Sequence, residues 1–400
     1  MGFFKKTYKF YAKIFVLAIF LCAVLCLSSC NFNNDIIDTD SDIYIPQLTA
    51  ASEGNIVSVS AHSAIAIQAQ TGEVYFEKNS HEKLPMASTT KIMTALVALE
   101  NCDINKEISV SKDAVGVEGS SVYLYENERL TLENLLYALL LESANDAAAA
   151  IAIEIGGSVE GFAAMMNDKA RELGLENTSF ENPHGLDSEN HYTTAYDLAK
   201  ITMAAMQNPI FEKIVSTYKR VIPLNGNEGA RVLINHNKLL KNYDGTIGVK
   251  TGFTKKSGRC LVSAAEHDGV RLICVTINAP NDWQDHENML DLGFSLYENK
   301  TFYEKNEFTY LHNVVGGIDS TVALVNQEPL GAILRQGCYN IKQHIEIQSF
   351  SYAPIKEGEI IGQIYYTQGD KVIASSPLVT IHKVDANIKE KSFWQKVFRR

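Results

Sequence analysis

A mixed α and β body followed by a small all-β domain is the fold class the sequence predicts. Three observations predict it. Up to about residue 298, β-like runs bounded by turn residues alternate with long apolar helical stretches. From Thr301 to Lys383 the helical periodicity fades and short β-like runs follow one another. No repeat of roughly 20 to 50 residues, the mark of a solenoid or propeller, occurs anywhere in the chain.

The first thirty residues read as an address. Lys5, Lys6, Lys9 and Lys13 precede an unbroken apolar run from Ile14 to Leu27, too short for a comfortable bilayer span and suited to the core of a secretory signal. Leu27, Ser28, Ser29 and Cys30 then resemble the lipobox of bacterial lipoproteins, in which the cysteine receives the lipid. Cys30 is therefore the expected lipidation site, with an ordinary cleaved signal or an uncleaved anchor as the alternatives. Residues 31–55 are rich in Asn, Asp and Ser and read as an acidic tether with a coil dimension of roughly 25 to 30 Å. The chain is expected to cross the cytoplasmic membrane and stay at its outer face.

Residues 56–298 form the expected catalytic domain. Ala64 to Ile67 and Glu73 to Phe76 flank a Gln70, Thr71, Gly72 turn, a hairpin signature. Residues 91–100 are apolar nearly all round, as in a helix buried inside a domain. Thr131 is placed to cap a second helix, whose apolar face runs through Leu132, Leu135, Leu136, Leu139 and Leu140. An alanine-rich helix follows from about Asp146 to Ile155. Arg259 to Ala265 and Arg271 to Ile277, joined across Asp268 and Gly269, read as a central antiparallel hairpin.

In the β-rich part, residues 301–384, the runs are Thr321 to Val325, His344 to Ile347, Glu359 to Tyr366, Lys371 to Ala374 and Leu378 to His382. The tail, residues 385–400, sets Phe393 with Val397 and Trp394 with Phe398 at helical spacing among basic residues. It fits an interfacial helix on anionic lipid, against the plainer reading of a frayed, solvated end.

Composition removes several functions. Net charge is −11, and since the first thirty residues hold four lysines and no acid, the remainder carries −15. No basic patch offers a nucleic-acid partner a surface. Outside the leader, Cys102, Cys260, Cys274 and Cys338 are scattered, with neither a C-x-x-C pair nor an H-E-x-x-H pattern, so no metal is expected and no other cofactor is called for. Cys260 and Cys274 lie in apolar runs and read as small core residues.

The chemistry rests on three short motifs. S-x-x-K occurs four times, but only Ser88, Thr89, Thr90, Lys91 stands where the chain starts a strongly apolar helix. Unpaired N–H groups at a helix N-terminus favour a developing oxyanion, and a lysine one turn on lies beside the hydroxyl. Burial and a second cation nearby would lower the lysine pKa, letting a neutral amine take the serine proton. Lys250 is the expected second cation. It begins Lys250, Thr251, Gly252, the only K-T-G triplet in the chain, on a strand-like run whose edge a substrate backbone can join. Between these motifs, Ser143, Ala144, Asn145 lies at a helix junction, where a hydroxyl can relay a proton and an amide can hold a substrate carbonyl. A plain interhelical turn is the alternative.

Taken in order, the three motifs resemble those of penicillin-binding proteins and serine β-lactamases. Pro85 to Lys91, Asn182 to Leu186 and Gly248 to Thr254 narrow the resemblance to the low-molecular-weight D-alanyl-D-alanine carboxypeptidases, over the chain from about Val57 through the β-domain and tail. The resemblance implies an α+β catalytic domain, an antiparallel sheet with helices on both sides plus an all-helical lobe, followed by the small β-domain. It implies a peptidoglycan pentapeptide ending in D-Ala-D-Ala as substrate and β-lactams as inhibitors. It makes Ser88 the nucleophile, Lys91 the base and Ser143 a proton relay. Asn145 would hold the substrate amide, Lys250 and Thr251 the terminal carboxylate, and the N–H groups of Ser88 and Phe253, beside Gly252, the oxyanion. The arginine that some relatives place beyond K-T-G is missing from Asn281 to Asp285, which leaves Arg259 as the nearest substitute. His184 is expected to be structural. A serine β-lactamase shares the trio, but no E-x-E-L-N element is present. A catalytically silent cell-wall-binding lipoprotein would be expected to lose Ser88, Lys91 or Lys250, and all three are there.

Overall fold

The computed structural model describes residues 36–37, 57–224, 229–337 and 340–388. The leader with Cys30, nearly all of the tether, Cys338 and the tail from residue 389 lie outside the described residues. Among the described residues two compact units emerge, one comprising 57–300 with 333–337, the other 36–37, 301–332 and 340–388. Within the expected tether, Ile36–Ile37 forms a short strand, β1, paired antiparallel with Glu346 and Ile345. Two adjacent β-branched residues in a polar stretch are enough to add an edge to a sheet.

The first unit is built on an antiparallel sheet. β2 (Ser63–Gln68) and β3 (Val74–Lys78) form the first hairpin. β4 (Glu107–Ser109) with β5 (Arg129–Thr131) and β6 (Lys219–Leu224) with β7 (Gly229–Ile234) make two separate ribbons. β8 (Thr246–Thr254), β9 (Gly258–His267) and β10 (Val270–Ile277) complete the sheet in the order β3-β2-β10-β9-β8, which leaves β8 at an edge.

Both faces of this sheet are buried, so its central strands read as continuous apolar runs rather than alternating ones. On β2, Ile65 and Ile67 join the large core and Ala64 and Ala66 the smaller one. The first face packs on helix Ala195–Met206, the second on helix Asp282–Leu296.

The remaining helices make a lobe. α1 (Lys91–Asn101) is buried from Lys91 to Ala98, as its all-round apolar sequence predicts. It is preceded by a 3₁₀ turn, Ala87–Thr90, so Ser88 sits inside that turn and Met86 takes the cap position. α2 (Leu132–Leu141) is capped by the Thr131 hydroxyl, which accepts from Asn134 N. α3 (Asn145–Gly156) and α4 (Val159–Glu172) follow. Leu135, Leu136, Leu139, Ala147, Ala148, Ile151, Phe162 and Met166 are all buried in one core.

The second unit carries a seven-stranded sheet, β1-β15-β17-β18-β13-β12-β16, where β12 is Thr309–Val315, β13 Thr321–Asn326, β15 Ile341–Ile347, β16 Ser351–Tyr352, β17 Ile360–Gln368 and β18 Lys371–Thr380. β11 (Tyr297–Tyr303) pairs separately with β14 (Leu330–Arg335). The runs at Lys371 and Leu378, expected to be separate strands, are one strand. Pro377 does not break β18, because its carbonyl accepts from Gln327 N just past the last β13 pair, Asn326 with Leu378. On that side the ladder has ended, and the missing N–H costs no sheet hydrogen bond. β12, which the sequence reading passed over, alternates exposed Leu311, Asn313 and Val315 with buried His312 and Val314.

One buried ion pair ties the β6–β7 ribbon to the lobe. Arg231 meets both oxygens of Glu128, at 2.5 and 2.9 Å, and donates to the carbonyls of Val122 and Tyr123 at 2.8 and 3.0 Å. Glu128 has no exposed surface. Arg231→Met is expected to destabilise the protein by about 3 to 5 kcal/mol, with Arg231→Met/Glu128→Gln recovering part of the loss, as read by denaturant unfolding. Equal stability of the single variant and the parent would show the pair to be idle.

Candidate active site

The site begins with a buried amine. Lys91, on the first turn of α1, has no exposed surface, and its Nζ lies 3.0 Å from Ser88 Oγ, 2.7 Å from Asn145 Oδ1 and 2.6 Å from the His184 carbonyl oxygen. The carbonyl oxygens of Asn145 and His184 can only accept, so they take two N–H bonds. The third position on nitrogen faces the serine. Burial, helped by the nearby Lys250 charge and opposed by Asp146, holds the Lys91 pKa well below the ordinary lysine value. A neutral amine then has its lone pair aimed at the Ser88 hydroxyl.

The loop at residues 182–186 makes this cradle. Asn182 Oδ1 accepts from His184 N at 3.3 Å and Gly185 N at 2.7 Å, while Asn182 Nδ2 donates to Leu186 O at 3.0 Å. Thr94 Oγ1 donates to Pro183 O at 2.6 Å, fastening the loop to α1. At Gly185 (φ +92°) an added Cβ would stand 1.9 Å from the Ala87 carbonyl oxygen, so only glycine lets the loop approach the Ser88 turn. His191 supports the turn from below. Its Nδ1 accepts from Glu181 N at 3.0 Å, which leaves Nε2 to donate to Thr90 Oγ1 at 2.8 Å. Burial pushes the pKa of His184 down to about 3 and that of His191 to about 4.

The second wall is β8. Lys250 is 2% exposed, and burial lowers its pKa to about 7, against an opposing pull from Glu142. Its Nζ donates to the Thr251 carbonyl at 2.9 Å. A Cβ on Gly252 would lie 3.0 Å from Ser88 N, which shows how closely the strand passes the serine backbone.

The third wall is the α2–α3 junction. Ser143 takes a left-handed conformation (φ +60°), which turns the chain between the helices. Asn145 is buried beside the lysine. Its oxygen accepts from Lys91 and its Nδ2 donates to Glu118 O at 2.5 Å, so each end of the amide has one protein partner. It positions the lysine and keeps a second N–H and a second oxygen lone pair. Asp146, unnoticed in the sequence, is buried and accepts from Ser121 Oγ at 2.6 Å and Leu124 N at 2.9 Å, bracing the 118–124 loop.

A cavity of about 380 Å³ opens on these walls, lined by Ser88, Ser143, Thr251, Gly252, Phe253 and Arg259, with Lys91, Asn145 and Lys250 buried around it. Ser120, His236, Lys238, Cys260, Asp282 and Trp283 also line it. Arg259, on β9 opposite Phe253, meets buried Asp282 through Nε at 3.0 Å and Nη2 at 2.8 and 2.9 Å. Its side chain stays 45% exposed. Arg259 and Lys238 lie 5.9 and 6.0 Å from the Trp283 ring, so cations from two elements flank one indole.

Residues 48–281 match the peptidase family S11, described as D-alanyl-D-alanine carboxypeptidase, and residues 297–386 match the penicillin-binding protein 5 C-terminal domain. The chain is 34% identical over 348 residues to the D-alanyl-D-alanine carboxypeptidase DacF of Bacillus subtilis (strain 168), covering 84% of this chain and 89% of that one. It is 30% identical over 362 residues to DacC of Escherichia coli (strain K12), at 85% and 87% coverage. Crystal structures of penicillin binding protein 5 from Haemophilus influenzae align with a TM-score of 0.60 at 26% identity, over 84% of this chain and 100% of that one.

Gly185→Ala is expected to lower stability by about 2 to 4 kcal/mol, combining left-handed strain with the clash on Ala87. Gly174→Ala separates the two effects, since Gly174 has φ +69° but nothing within 4 Å of an added Cβ. It should cost only about 1 kcal/mol. Thermal unfolding of both variants checks this, and equal losses would mean that the close approach contributes nothing.

Proposed function

The chain belongs to the D-alanyl-D-alanine carboxypeptidase family, and we propose that it removes the terminal D-alanine of peptidoglycan stem peptides through an acyl-enzyme on Ser88. It is a serine peptidase, a hydrolase of the cell wall. The observation that carries the assignment to Ser88 is the Lys91 amine, with two N–H bonds spent on carbonyl oxygens and its third position 3.0 Å from the serine oxygen.

The steps follow from that arrangement. Ser88 Oγ–H gives its proton to Lys91 Nζ as Oγ bonds the penultimate carbonyl carbon. Negative charge moves to the carbonyl oxygen, where the N–H groups of Ser88 and Phe253, brought together by Gly252, receive it. The C–N bond to the last D-alanine breaks, and its nitrogen takes the proton from Lys91 by way of Ser143 Oγ. Water then attacks the ester, giving its proton back along the same route and freeing Ser88. Asn145 holds Lys91 in line throughout. Lys250 and Thr251 hold the terminal carboxylate, with Arg259 at the far side of the cavity as a further cation. A β-lactam offers the same carboxylate and carbonyl and acylates Ser88.

We assign this chemistry to residues 56–298 and place the enzyme outside the cytoplasmic membrane, delivered by the leader and retained at the membrane surface through Cys30 lipid, the basic tail, or both. Among the described residues no single helix is long and apolar enough to cross a membrane.

Ser88→Ala is expected to lower D-alanine release from a diacyl-Lys-D-Ala-D-Ala peptide roughly a thousandfold or more, and to abolish labelling by a fluorescent penicillin. A variant that still labels would reject the nucleophile. The pH profile gives a second test. Lys91 must be neutral and Lys250 charged, so kcat/KM should rise on the acid side as Lys91 loses its proton and fall on the alkaline side with an apparent pKa near the Lys250 value of about 7. Substrate carboxylate stabilises the Lys250 ammonium, so the alkaline limb of kcat should lie higher than that of kcat/KM. In Lys250→Arg the guanidinium stays charged, and the alkaline limb should move up by more than one pH unit or vanish. An unmoved limb would assign it to another group.

A further inference from the structure

The second unit gathers several exposed apolar side chains at one edge of its sheet. At the β12–β16 edge, Val315 pairs with Tyr352, and the rings of Phe350 and Tyr352 meet edge to face at 5.3 Å. The turn after β12 adds Ile318, whose N–H donates to Asp385 O, and Asn387 N donates to Gly316 O, which brings Ile388 to the same place. Tyr352, Ile318 and Ile388 are 70%, 68% and 80% exposed, and Val315 and Phe350 are more than a third exposed. Such clustering of large apolar groups in water marks an interaction surface rather than scatter. Asp319 and the Lys383–Asp385 pair lie at its border.

We propose that this patch is a lipid-contact surface that rests on the outer leaflet of the cytoplasmic membrane. Three observations select lipid as its occupant. The chain runs from Ile388, inside the patch, directly into residues 389–400, which carry five basic residues together with Phe393, Trp394, Val397 and Phe398. At the other end, β1 is seated on the opposite edge of this same sheet only six residues after Cys30, a stretch that reaches roughly 20 Å at full extension. Both segments suited to holding the chain at a bilayer therefore leave from the unit that carries the patch. The patch is also small for a stable contact between two copies, on the order of 500 Å² against the roughly 800 Å² that each partner usually contributes. Aromatic rings with one polar end, as in Tyr352, suit the boundary between headgroups and acyl chains.

The inference extends the membrane attachment proposed above, and the test separates the two. The exported chain, residues 31–400, is sedimented with vesicles of mixed phosphatidylglycerol and phosphatidylethanolamine. It is compared with Ile318→Ser/Phe350→Ser/Tyr352→Ser, with a chain ending at residue 388, and with Val372→Ser, an exposed apolar residue outside the patch. The triple variant is expected to lose partition roughly tenfold or more, while Val372→Ser keeps it. Loss on shortening with none in the triple variant supports the tail and overturns the patch. No binding by the parent chain overturns both. A triple variant that changes oligomeric state by sedimentation equilibrium and keeps its partition shows a copy-to-copy interface instead, and overturns the proposal. A far-UV circular dichroism spectrum and thermal transitions matching the parent's verify that the triple variant is folded.

Discussion

The site depends on one amine that the fold will not hydrate. Burying an ammonium without compensation costs several kcal/mol, and the protein meets that cost by letting Lys91 shed its proton and by giving the remaining N–H bonds to two carbonyl oxygens. Much of the surrounding sequence follows from this. α1 is apolar on every side because its first turn is inside the molecule. Residues 182–186 are held in shape by Asn182 so that one carbonyl, that of His184, points at the nitrogen. Gly185 and Gly252 are small because two chain segments must both reach the Ser88 turn closely. Moving any of these by an ångström would leave an N–H unpaired, or turn the lone pair away from the serine.

The charges around the site are graded by burial and partner. Lys91 is fully enclosed and has the strongest reason to be neutral; Lys250 is almost as buried, but the Glu142 carboxylate holds part of its proton affinity. Arg259 sits at the exposed wall, where its fork is anchored on Asp282 and its charge stays fixed. The result is a gradient from a base to a titrating cation to a permanent one across a single cavity. In the proposed reaction, a carboxylate-ended peptide entering along it would be drawn by its charged end and meet the base with its carbonyl.

How much of this could be read in the sequence depends on whether side chains or backbone carry it. Ser88, Lys91, Ser143 and Lys250 are residue types whose spacing is itself a signal, and the apolar stretch after Ser88 told that Lys91 would be buried. The hold of Asn145 on Lys91 was not legible, because an amide's two ends look equally free until its neighbours are known, and here Lys91 and the Glu118 carbonyl each take one bond. The His184 carbonyl could not be found, since every residue carries one. In the β unit, the runs at Lys371 and Leu378 read as two strands, and only the register shows that Pro377 between them is harmless; the alternation of β12 was hidden by its mixture of Asn, His and Val.

The position of β8 at the sheet edge links the fold to the reaction. Among the described residues its only strand neighbour is β9, so the backbone groups along its outer side have no ladder partner. Edges of this kind invite further pairing and are usually blunted by charge, proline or a cover. Here the Ser88 turn stands beside Gly252, and the cavity opens on Thr251, Gly252 and Phe253. A peptide laid along that edge as an added strand supplies the missing partner and is fixed in register by its own amides. Register matters because a shift of one residue would turn the scissile carbonyl away from Ser88. Lys250 and Thr251, stopping the terminal carboxylate as proposed, set where the added strand ends. On that proposal, specificity for the last peptide bond is a property of the edge and its end-stop together.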